Sequence, residues 1–482
     1  MILFLASRPV VPTVRRTRSG AARGWPAVAP RSTGATPRAS GATTTTRTPD
    51  TAPASTPRAT GGTPYANAQQ ITDDRGPEPH PPRRSFLSPY RGLFAAPGAA
   101  AFTLAALVGR LAGTMLGVSM VVMIATVRDS YALAGAVSAT GIAVTAVTGP
   151  LLGRLVDRHG QARVAVPAVA VFALGATATL LCVHHGAPAW ALFLCAAGSS
   201  GVPSLGSMTR ARWASVHRDD PGARHTANSF EQVVDEVCFM AGPALAMVLC
   251  TAVFPEAGLA TAAVLLVTGT LLFAAQRRTE PPPQPRTDSA GGSPLRSPGL
   301  RVVVVTFLAT GAVFGSMEVA TVAAVDSYGH GPASSALLAL QAAGSCAAGL
   351  VFGALPVRGS AAARFLAGVA AMAVAVLPLL AATGPASLAP LLFVAGMATA
   401  PTMISGMTLV HRLTPSARLN EGMTTAYTGL LIGISAGAAA GGWTVDHLGP
   451  AAGYTAPATA AALALLAAAS GAGALRRSPE AD

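Results

Sequence analysis

The sequence contains no lysine, so its 33 basic residues are all arginine. Charged residues of either sign make up only 11% of the chain, whereas a soluble domain carries about 25%. Aromatic residues are also scarce, at 5%. This composition, with 51% hydrophobic residues and a mean hydropathy of +0.49, excludes an ordinary soluble protein and predicts a membrane protein.

Cysteine is rare as well, and the five cysteines lie inside apolar runs without C-x-x-C spacing. We therefore expect small core residues rather than disulfides or a metal site. The chain also lacks a P-loop, a G-x-S-x-G elbow and an H-E-x-x-H motif. These absences predict a protein that is not an enzyme and needs no cofactor, and whose energy comes from an ion gradient or from the substrate's own gradient.

Apolar runs of about 20 residues, long enough to cross a bilayer as a helix, recur from residue 100 onward. They predict an all-α polytopic membrane protein with a disordered N-terminal tail and 12 transmembrane helices. The predicted helices cover residues 100–126, 131–152, 164–184, 188–209, 228–252, 257–275, 302–325, 333–354, 365–383, 387–410, 422–442 and 451–474.

The arginines that follow residue 91 fix the predicted orientation. Of these 20 residues, 18 follow even-numbered predicted helices, and the opposite loops hold only Arg128. Because arginine accumulates in cytoplasmic loops, we expect both termini in the cytoplasm. The Ala-, Gly- and Arg-rich composition further favours a bacterial origin, and hence the bacterial plasma membrane.

Residues 1–94 form a separate Pro/Thr-rich segment with few large apolar side chains. Residues 1–91 hold 13 arginines and four acidic residues, which accounts for most of the net charge of +13. The charge therefore does not indicate a nucleic-acid partner, and we expect a disordered cytoplasmic tail. The segment is interpreted as a dispensable tail or an over-extended gene start, or alternatively as a basic arm that touches anionic lipid.

The membrane part divides in two at residues 276–300, a Pro-, Arg-, Ser- and Gly-rich stretch that predicts a flexible cytoplasmic linker. We expect six helices in 95–275, six in 301–475, and a short cytoplasmic tail at 476–482. Short matches at a nearly constant offset support a duplication: Asp-Ser-Tyr at 129–131 recurs at 326–328, and 197–198, Pro203 and 208–209 recur as 395–396, Pro401 and 407–408.

The segment 153–163, Gly-Arg-Leu-Val-Asp-Arg-His-Gly-Gln-Ala-Arg, joins two apolar runs without charged residues and predicts a tight cytoplasmic hairpin. It resembles the loop after the second helix of major facilitator superfamily (MFS) transporters, whose pattern is roughly G-x-L-a-D-r-x-G-r-k. The matching residues are Gly153, Leu155, Asp157, Arg158, Gly160 and Arg163. Gln161 and Ala162 stand where basic residues are common.

The resemblance covers residues 95–475 and implies the MFS fold, with two six-helix bundles and a substrate site between them near the midplane. It also implies a gating role for Gly153, Asp157, Arg158, Gly160 and Arg163. The Asp157 carboxylate would contact a helix end of the other bundle and hold the outward-facing state. The alternative is a turn that only sets topology.

Charged residues inside the predicted spans are the candidates for substrate or proton coupling. Arg110 lies about 15 Å along the first helix, where an arginine costs roughly 2.5–3.5 kcal/mol and usually has a partner. Helix 5 holds Glu231, Asp235 and Glu236 in its first turns, and the first two share a face. We expect Arg110 to bind an anion or couple protons, and Asp235 to pair with it or carry a proton. A structural pair, or contacts to the arginines of 210–224, are the alternatives.

Two further features lie in helices 7 and 5. Glu318 falls in the outer half of helix 7 and is a candidate carboxylate for substrate or proton binding; the alternative is a hydrogen bond to a neighbouring Thr or to the backbone. Gly242 and Pro243 match part of the G-x-x-x-G-P-x-x-x-G-G motif of MFS antiporters and predict a bend, although close packing alone explains them. Segment 193–202 lacks the arginine that drug/proton antiporters place in helix 4, so Arg110 is the candidate replacement.

These features together predict a monomeric secondary transporter in the lipid bilayer that exports small amphipathic molecules, drugs or metabolites, in exchange for protons. An MFS importer or sugar exporter is the first alternative. A membrane sensor or scaffold that does not transport is the alternative of another class.

Overall fold

A computed structural model of the chain describes residues 87–283, 293–329, 333–356 and 358–477. This part is helical and contains no β-strand. The predicted tail up to residue 86, residues 284–292 of the predicted linker and residues 478–482 lie outside it. The helices are α1 (Ser88–Leu93), α2 (Ala99–Arg128), α3 (Tyr131–His159), α4 (Gln161–His184), α5 (Ala189–Gly198), α6 (Leu205–Val216), α7 (Pro221–Ala252), α8 (Ala257–Ala275), α9 (Pro298–Ser327), α10 (Ser334–Ala354), α11 (Ala361–Val376), α12 (Pro385–Leu413), α13 (Leu419–Leu448), α14 (Thr455–Ser470) and α15 (Ala472–Arg476).

Eleven helical segments in the described residues are long and apolar enough to cross a membrane. The predicted helix 188–209 is the exception, because it is divided into α5 and α6 by the nonhelical segment 199–204. This segment reads Ser-Ser-Gly-Val-Pro-Ser. Pro203 has no N–H for the helical ladder and Gly201 loses the most backbone entropy in a helix, so the chain leaves the helix here. Together, α5 and α6 take the place of the twelfth crossing.

The predicted hairpin 153–163 is also different in the structure, since every residue except Gly160 is helical. Gly160 has a φ of +92°, a conformation that favours glycine, and it alone separates α3 from α4. At the start of the described chain, α1 lies in what was predicted as disordered tail. The Tyr90 hydroxyl of α1 donates a 2.7 Å hydrogen bond to the Leu350 carbonyl, and burial raises the pKa of Tyr90 to about 12.

Small residues allow the helices to approach closely. A Cβ added to Gly311, Gly315, Gly433 or Gly437 would clash with backbone atoms of the facing helix, so α9 and α13 pack with their backbones in contact. In lipid, where the hydrophobic effect gives little drive for helix association, such close packing supplies the attraction.

The half formed by α2–α8 meets the half formed by α9–α15 chiefly through two helix pairs, α3 with α13 and α7 with α10. The tight contacts of both pairs lie toward one end of the bundle. We call this end the arginine-rich side, defined by residues 153–163, 210–224, 358–364 and 412–418.

Candidate functional site

A cavity of about 760 Å³ separates the two halves beyond the contact between α7 and α10. It reaches Val322 near the end of α9 and Ser334 at the start of α10, the ends opposite the arginine-rich side. Its charged lining residues are Asp235, Glu236 and Glu318, and no described arginine or histidine lines it. We call it the acidic lobe. Its other lining groups include the methionines and aromatic residues Phe239, Met240, Met247, Phe314, Met403 and Tyr427.

A second cavity of about 400 Å³ lies beside it, among α2, α3, α5 and α13. It shares Phe239 and Ile434 with the acidic lobe, so these two side chains stand between the spaces. No charged residue lines it, and its polar groups are serine and threonine hydroxyls. We call it the apolar lobe.

The nonhelical segment 199–204 contributes Ser199, Ser200 and Val202 to the wall of the apolar lobe. The Ser200 carbonyl accepts a 3.2 Å hydrogen bond from the Thr145 hydroxyl of α3. Irregular backbone at membrane depth is tolerated where protein buries it or where it lines a cavity, and this segment meets that condition. The pair Gly201 and Pro203 is the signal of this break in the sequence, and the apolar residues on both sides mask it.

Arg110 occupies a buried charge cluster with Glu231 and Asp235 of α7. Its guanidinium is ion-paired with both carboxylates, and Nη2 also donates to the Glu231 carbonyl at 3.0 Å. The contact expected between Arg110 and Asp235 is therefore present, and Glu231 belongs to the same cluster. Arg110 does not line either lobe.

Two further residues complete the cluster, both from the stretch that the sequence predicted as a loop. Contact of the α7 acids with the arginines of 210–224, which was the alternative, is present for Arg210, whereas Trp213 was not singled out. Arg210 of α6 donates to Asp235 Oδ2 at 2.6 Å, and the Trp213 indole donates to Glu231 Oε1 at 2.8 Å. The two arginines balance the two acids, and each of the four carboxylate oxygens has a donor. A buried ion pair is tolerated when its remaining lone pairs are satisfied in this way. The helical spacing of Arg210, Trp213 and the acids of α7 was the available signal.

Arg212, the neighbour of Arg210, has a different position and is fully buried. Its guanidinium donates to the carbonyls of Gln276 and Phe273 near the end of α8, at 2.8 and 3.1 Å, and to Gln161 Oε1 at 2.7 Å. It also lies 3.8 Å from the centroid of the Phe273 ring. Arg212 therefore joins α4, α6 and α8 within the first half and is remote from both lobes.

Glu236 and Glu318 face the acidic lobe without a cationic partner among the described residues. Glu236 Oε1 accepts hydrogen bonds from Ser345 of α10 at 2.8 Å and from Gln232 at 3.2 Å. It thereby links the two halves. Glu318 comes from α9 of the second half, so each half contributes one unpaired carboxyl group to the cavity.

Asp157 lies near the end of α3 and contacts the start of α13. Its carboxylate accepts from the backbone N–H groups of Asn420 and Glu421 at 3.1 and 2.9 Å, and from the Asn420 side chain at 2.8 Å. These N–H groups belong to the first turn of α13, where backbone N–H groups have no carbonyl acceptor within the helix. The carboxylate therefore caps a helix of the other half, where the helix dipole also favours a negative charge.

The other residues of the 153–163 segment have distinct positions. Gly153 is in backbone contact with α13, because an added Cβ would lie 2.9 Å from the Asn420 carbonyl oxygen. Gly160 is buried and faces Glu280, whose carboxylate accepts from the Ala162 N–H at 3.0 Å. Arg158 is half-buried and Arg163 is exposed.

Gly242 and Pro243 lie inside α7, which continues through them to Ala252. Gly242 packs against Thr114 of α2, whose hydroxyl donates to the Cys238 carbonyl at 2.8 Å. Pro243 lines the acidic lobe. Close packing at Gly242 is thus evident, and the bend stays a prediction. Within the described residues, no group of three or more His, Cys, Asp or Glu is arranged to hold a metal ion.

The arrangement of helices has counterparts of known structure. The human organic anion transporter MFSD10 (TETRAN) is 15% identical, with a TM-score of 0.62 over 77% of this chain and 99% of that one. A bacterial homologue of the iron transporter ferroportin, in an outward-facing state, is 14% identical, with a TM-score of 0.60 over 78% and 99%. The E. coli fucose:proton symporter FucP is 13% identical, with a TM-score of 0.58 over 77% and 98%. Such low identities show a shared fold and leave the substrate open.

No curated protein sequence matches the chain. The profile of the Major Facilitator Superfamily matches residues 102–392, which is more than half of the sequence. Together with the apolar helices, this match shows that the chain belongs to the major facilitator superfamily and is a multi-pass membrane transporter.

Proposed function

We propose that the protein exports small amphipathic organic cations from a bacterial cell in exchange for protons, by alternating access. Two carboxyl groups without an ion-pair partner, those of Glu236 and Glu318, support the proposal. They lie in a cavity that no described basic residue lines. A negative wall of this kind favours a cation and disfavours an anion. Every carboxylate oxygen of the Arg110 cluster already accepts a hydrogen bond, so we assign this cluster a positioning role.

The two lobes fit the two parts of an amphipathic molecule. The cationic group would bind in the acidic lobe, and its apolar part would extend past Phe239 into the uncharged apolar lobe. Flexible methionines, which adapt to different shapes, favour a permissive site over one for a single substrate. The cavity volumes are in the range of small-molecule sites, roughly 300–1,000 Å³.

Exchange for protons follows from the same carboxyl groups. At this depth a carboxyl group can be neutral with a bound proton or negative with a bound cation, so the two ligands compete. The proposal places the arginine-rich side in the cytoplasm, so that the acidic lobe faces outward and receives protons from outside. Protonation then releases the cation outward, and the inward proton gradient drives export. In this scheme Glu236 and Glu318 take the proton role expected for Asp235, which two guanidinium groups already engage.

The proposal is tested by the accumulation of labelled cationic, neutral and anionic amphipathic compounds in an efflux-deficient host that expresses the full chain. We expect lower accumulation of cations alone, reversed by a protonophore and absent in Glu318→Gln. Glu256→Gln, outside both lobes, is the matched control. Export of anions, or export of cations that Glu318→Gln and Glu236→Gln leave unchanged, would refute the assignment.

A sugar exporter or importer of the same fold is the second candidate, favoured by the hydrogen-bonding groups of Gln232, Gln341 and Tyr427 in the acidic lobe. Uptake of labelled sugars in the same host would support it. A sensor or scaffold would show neither export of cations nor uptake of sugars.

A further inference from the structure

A third cavity, of about 440 Å³, lies on the arginine-rich side, away from both lobes. Arg218, Arg224, Arg364 and Arg412 line it, and no described acid lies within ion-pair distance of their guanidinium groups. Asp157 is the one acid in its wall, and hydrogen bonds from α13 already occupy both of its oxygens. We call this space the basic cavity.

Several buried polar atoms of residues that line the basic cavity make no hydrogen bond. The buried atoms His225 Nδ1, His411 Nε2 and Thr414 Oγ1 make no hydrogen bond within the described structure. His225 is only 6% exposed, and its other ring nitrogen is 2.8 Å from the Phe352 carbonyl oxygen. The Arg364 guanidinium donates to the carbonyls of Arg358 and Gly359 at 3.2 and 3.1 Å, and none of the four guanidinium groups has an ion-pair partner among the described residues. Buried polar atoms are nearly always hydrogen-bonded, so three unpaired atoms beside this uncompensated positive charge indicate a missing ligand.

We propose that the basic cavity binds a phosphate group, carried by an anionic phospholipid or by a free phosphate. Guanidinium groups bind phosphate oxygens through paired N–H donors, and basic pockets between helices on the cytoplasmic side suit anionic head groups. The volume accommodates a phosphate with part of its ester group. A ligand here is separate from the transported cation, whose site has the opposite charge.

The position of the cavity gives the ligand a regulatory role. Arg218 and Arg224 belong to the first half of the chain, whereas Arg364 and Arg412 belong to the second. In this structure, in which the arginine-rich side is closed, these like charges converge, and their repulsion opposes closure. A bound phosphate removes this repulsion and bridges the halves beside the contact between Asp157 and Asn420. It therefore stabilises the state that opens to the other side.

The test uses the purified full-length protein and two probes. Inorganic phosphate is titrated by calorimetry, and nanodiscs of phosphatidylglycerol are compared with nanodiscs of phosphatidylcholine by the midpoint of thermal unfolding. We expect saturable phosphate binding, a higher midpoint in phosphatidylglycerol, or both. A response to phosphatidylglycerol alone identifies the lipid as the source, and a response to phosphate alone identifies the free anion.

The double variant Arg224→Gln/Arg412→Gln should weaken phosphate binding at least tenfold and reduce the rise of the unfolding midpoint in phosphatidylglycerol. Arg224→Lys/Arg412→Lys should restore part of both effects. Arg278→Gln/Arg301→Gln removes the same charge from exposed positions on the same side and should respond as the wild type. The proposal is overturned if the wild type responds to neither probe. It is also overturned if the folded Arg224→Gln/Arg412→Gln protein responds as strongly as the control variant.

Discussion

The carboxylate of Asp157 accepts a 2.9 Å hydrogen bond from the backbone N–H of Glu421, although 264 residues separate the two positions. This contact joins the halves of the transporter on the arginine-rich side. It is formed by the segment that resembles the MFS loop, and it gives that segment a partner that the sequence could not name.

Asp157→Asn tests the gating role that the resemblance to the MFS loop implies for segment 153–163. The substitution keeps the side-chain shape but replaces one acceptor oxygen with a donor that faces backbone N–H groups of α13, and it removes the charge that strengthens these bonds. We expect transport to fall at least tenfold and the arginine-rich side to become more accessible to a cysteine reagent. Asp326→Asn, exposed at the opposite end of the helices, is the control. Unchanged transport in a well-expressed Asp157→Asn protein would show that the segment has no gating role.

Arg110→Gln should destabilise the fold strongly, because it leaves the buried acids Glu231 and Asp235 with one fewer cation. Breaking a buried ion pair from one side typically costs about 3–5 kcal/mol. The expected result is a large drop in the midpoint of thermal unfolding in detergent. The double variant Arg110→Gln/Glu231→Gln restores the charge balance and should recover much of the loss. Equal midpoints for the double and single variants would contradict the pairing.

Gly433→Ala should destabilise the second half, since the new methyl group would meet the Leu308 carbonyl across the contact between α9 and α13. Overpacking of this kind typically costs about 1–3 kcal/mol. Gly442→Ala in the same helix has no atom within 4 Å of its added carbon and is the matched control. Thermal unfolding of both variants checks the prediction, which fails if the two midpoints are equal.

Phe239→Ala removes the aromatic side chain between the acidic and apolar lobes. We expect a change in the preferred size of the exported cations, with bulky compounds gaining relative to small ones. The cation requirement itself should persist, because Glu236 and Glu318 are unaltered. Accumulation assays with a series of cations of increasing size give the measurement. An unaltered size preference would show that substrates do not pass Phe239.

The sequence predicted the helical membrane fold because each span is a long apolar run, a signal that needs no tertiary information. It also pointed to contacts such as that of Arg110 with Asp235, since charges at similar depth in lipid require partners. It could not resolve the break at 199–204, because the apolar runs on both sides hid the interruption. It gave contact with the arginines of 210–224 only as an alternative and could not single out Arg210, because an arginine near a helix end is usually a topology signal and only packing reveals its burial.

Exchange of an organic cation for protons through Glu236 and Glu318 is tested most directly in proteoliposomes that contain the full chain. The vesicles have an acidic interior and a voltage clamped by potassium and valinomycin, and uptake of labelled tetraphenylphosphonium is measured. We predict uptake that requires the pH gradient, is accompanied by proton release from the vesicles, and is lost in Glu236→Gln/Glu318→Gln. Uptake that is independent of the gradient, or that moves protons in the same direction as the cation, would contradict the account.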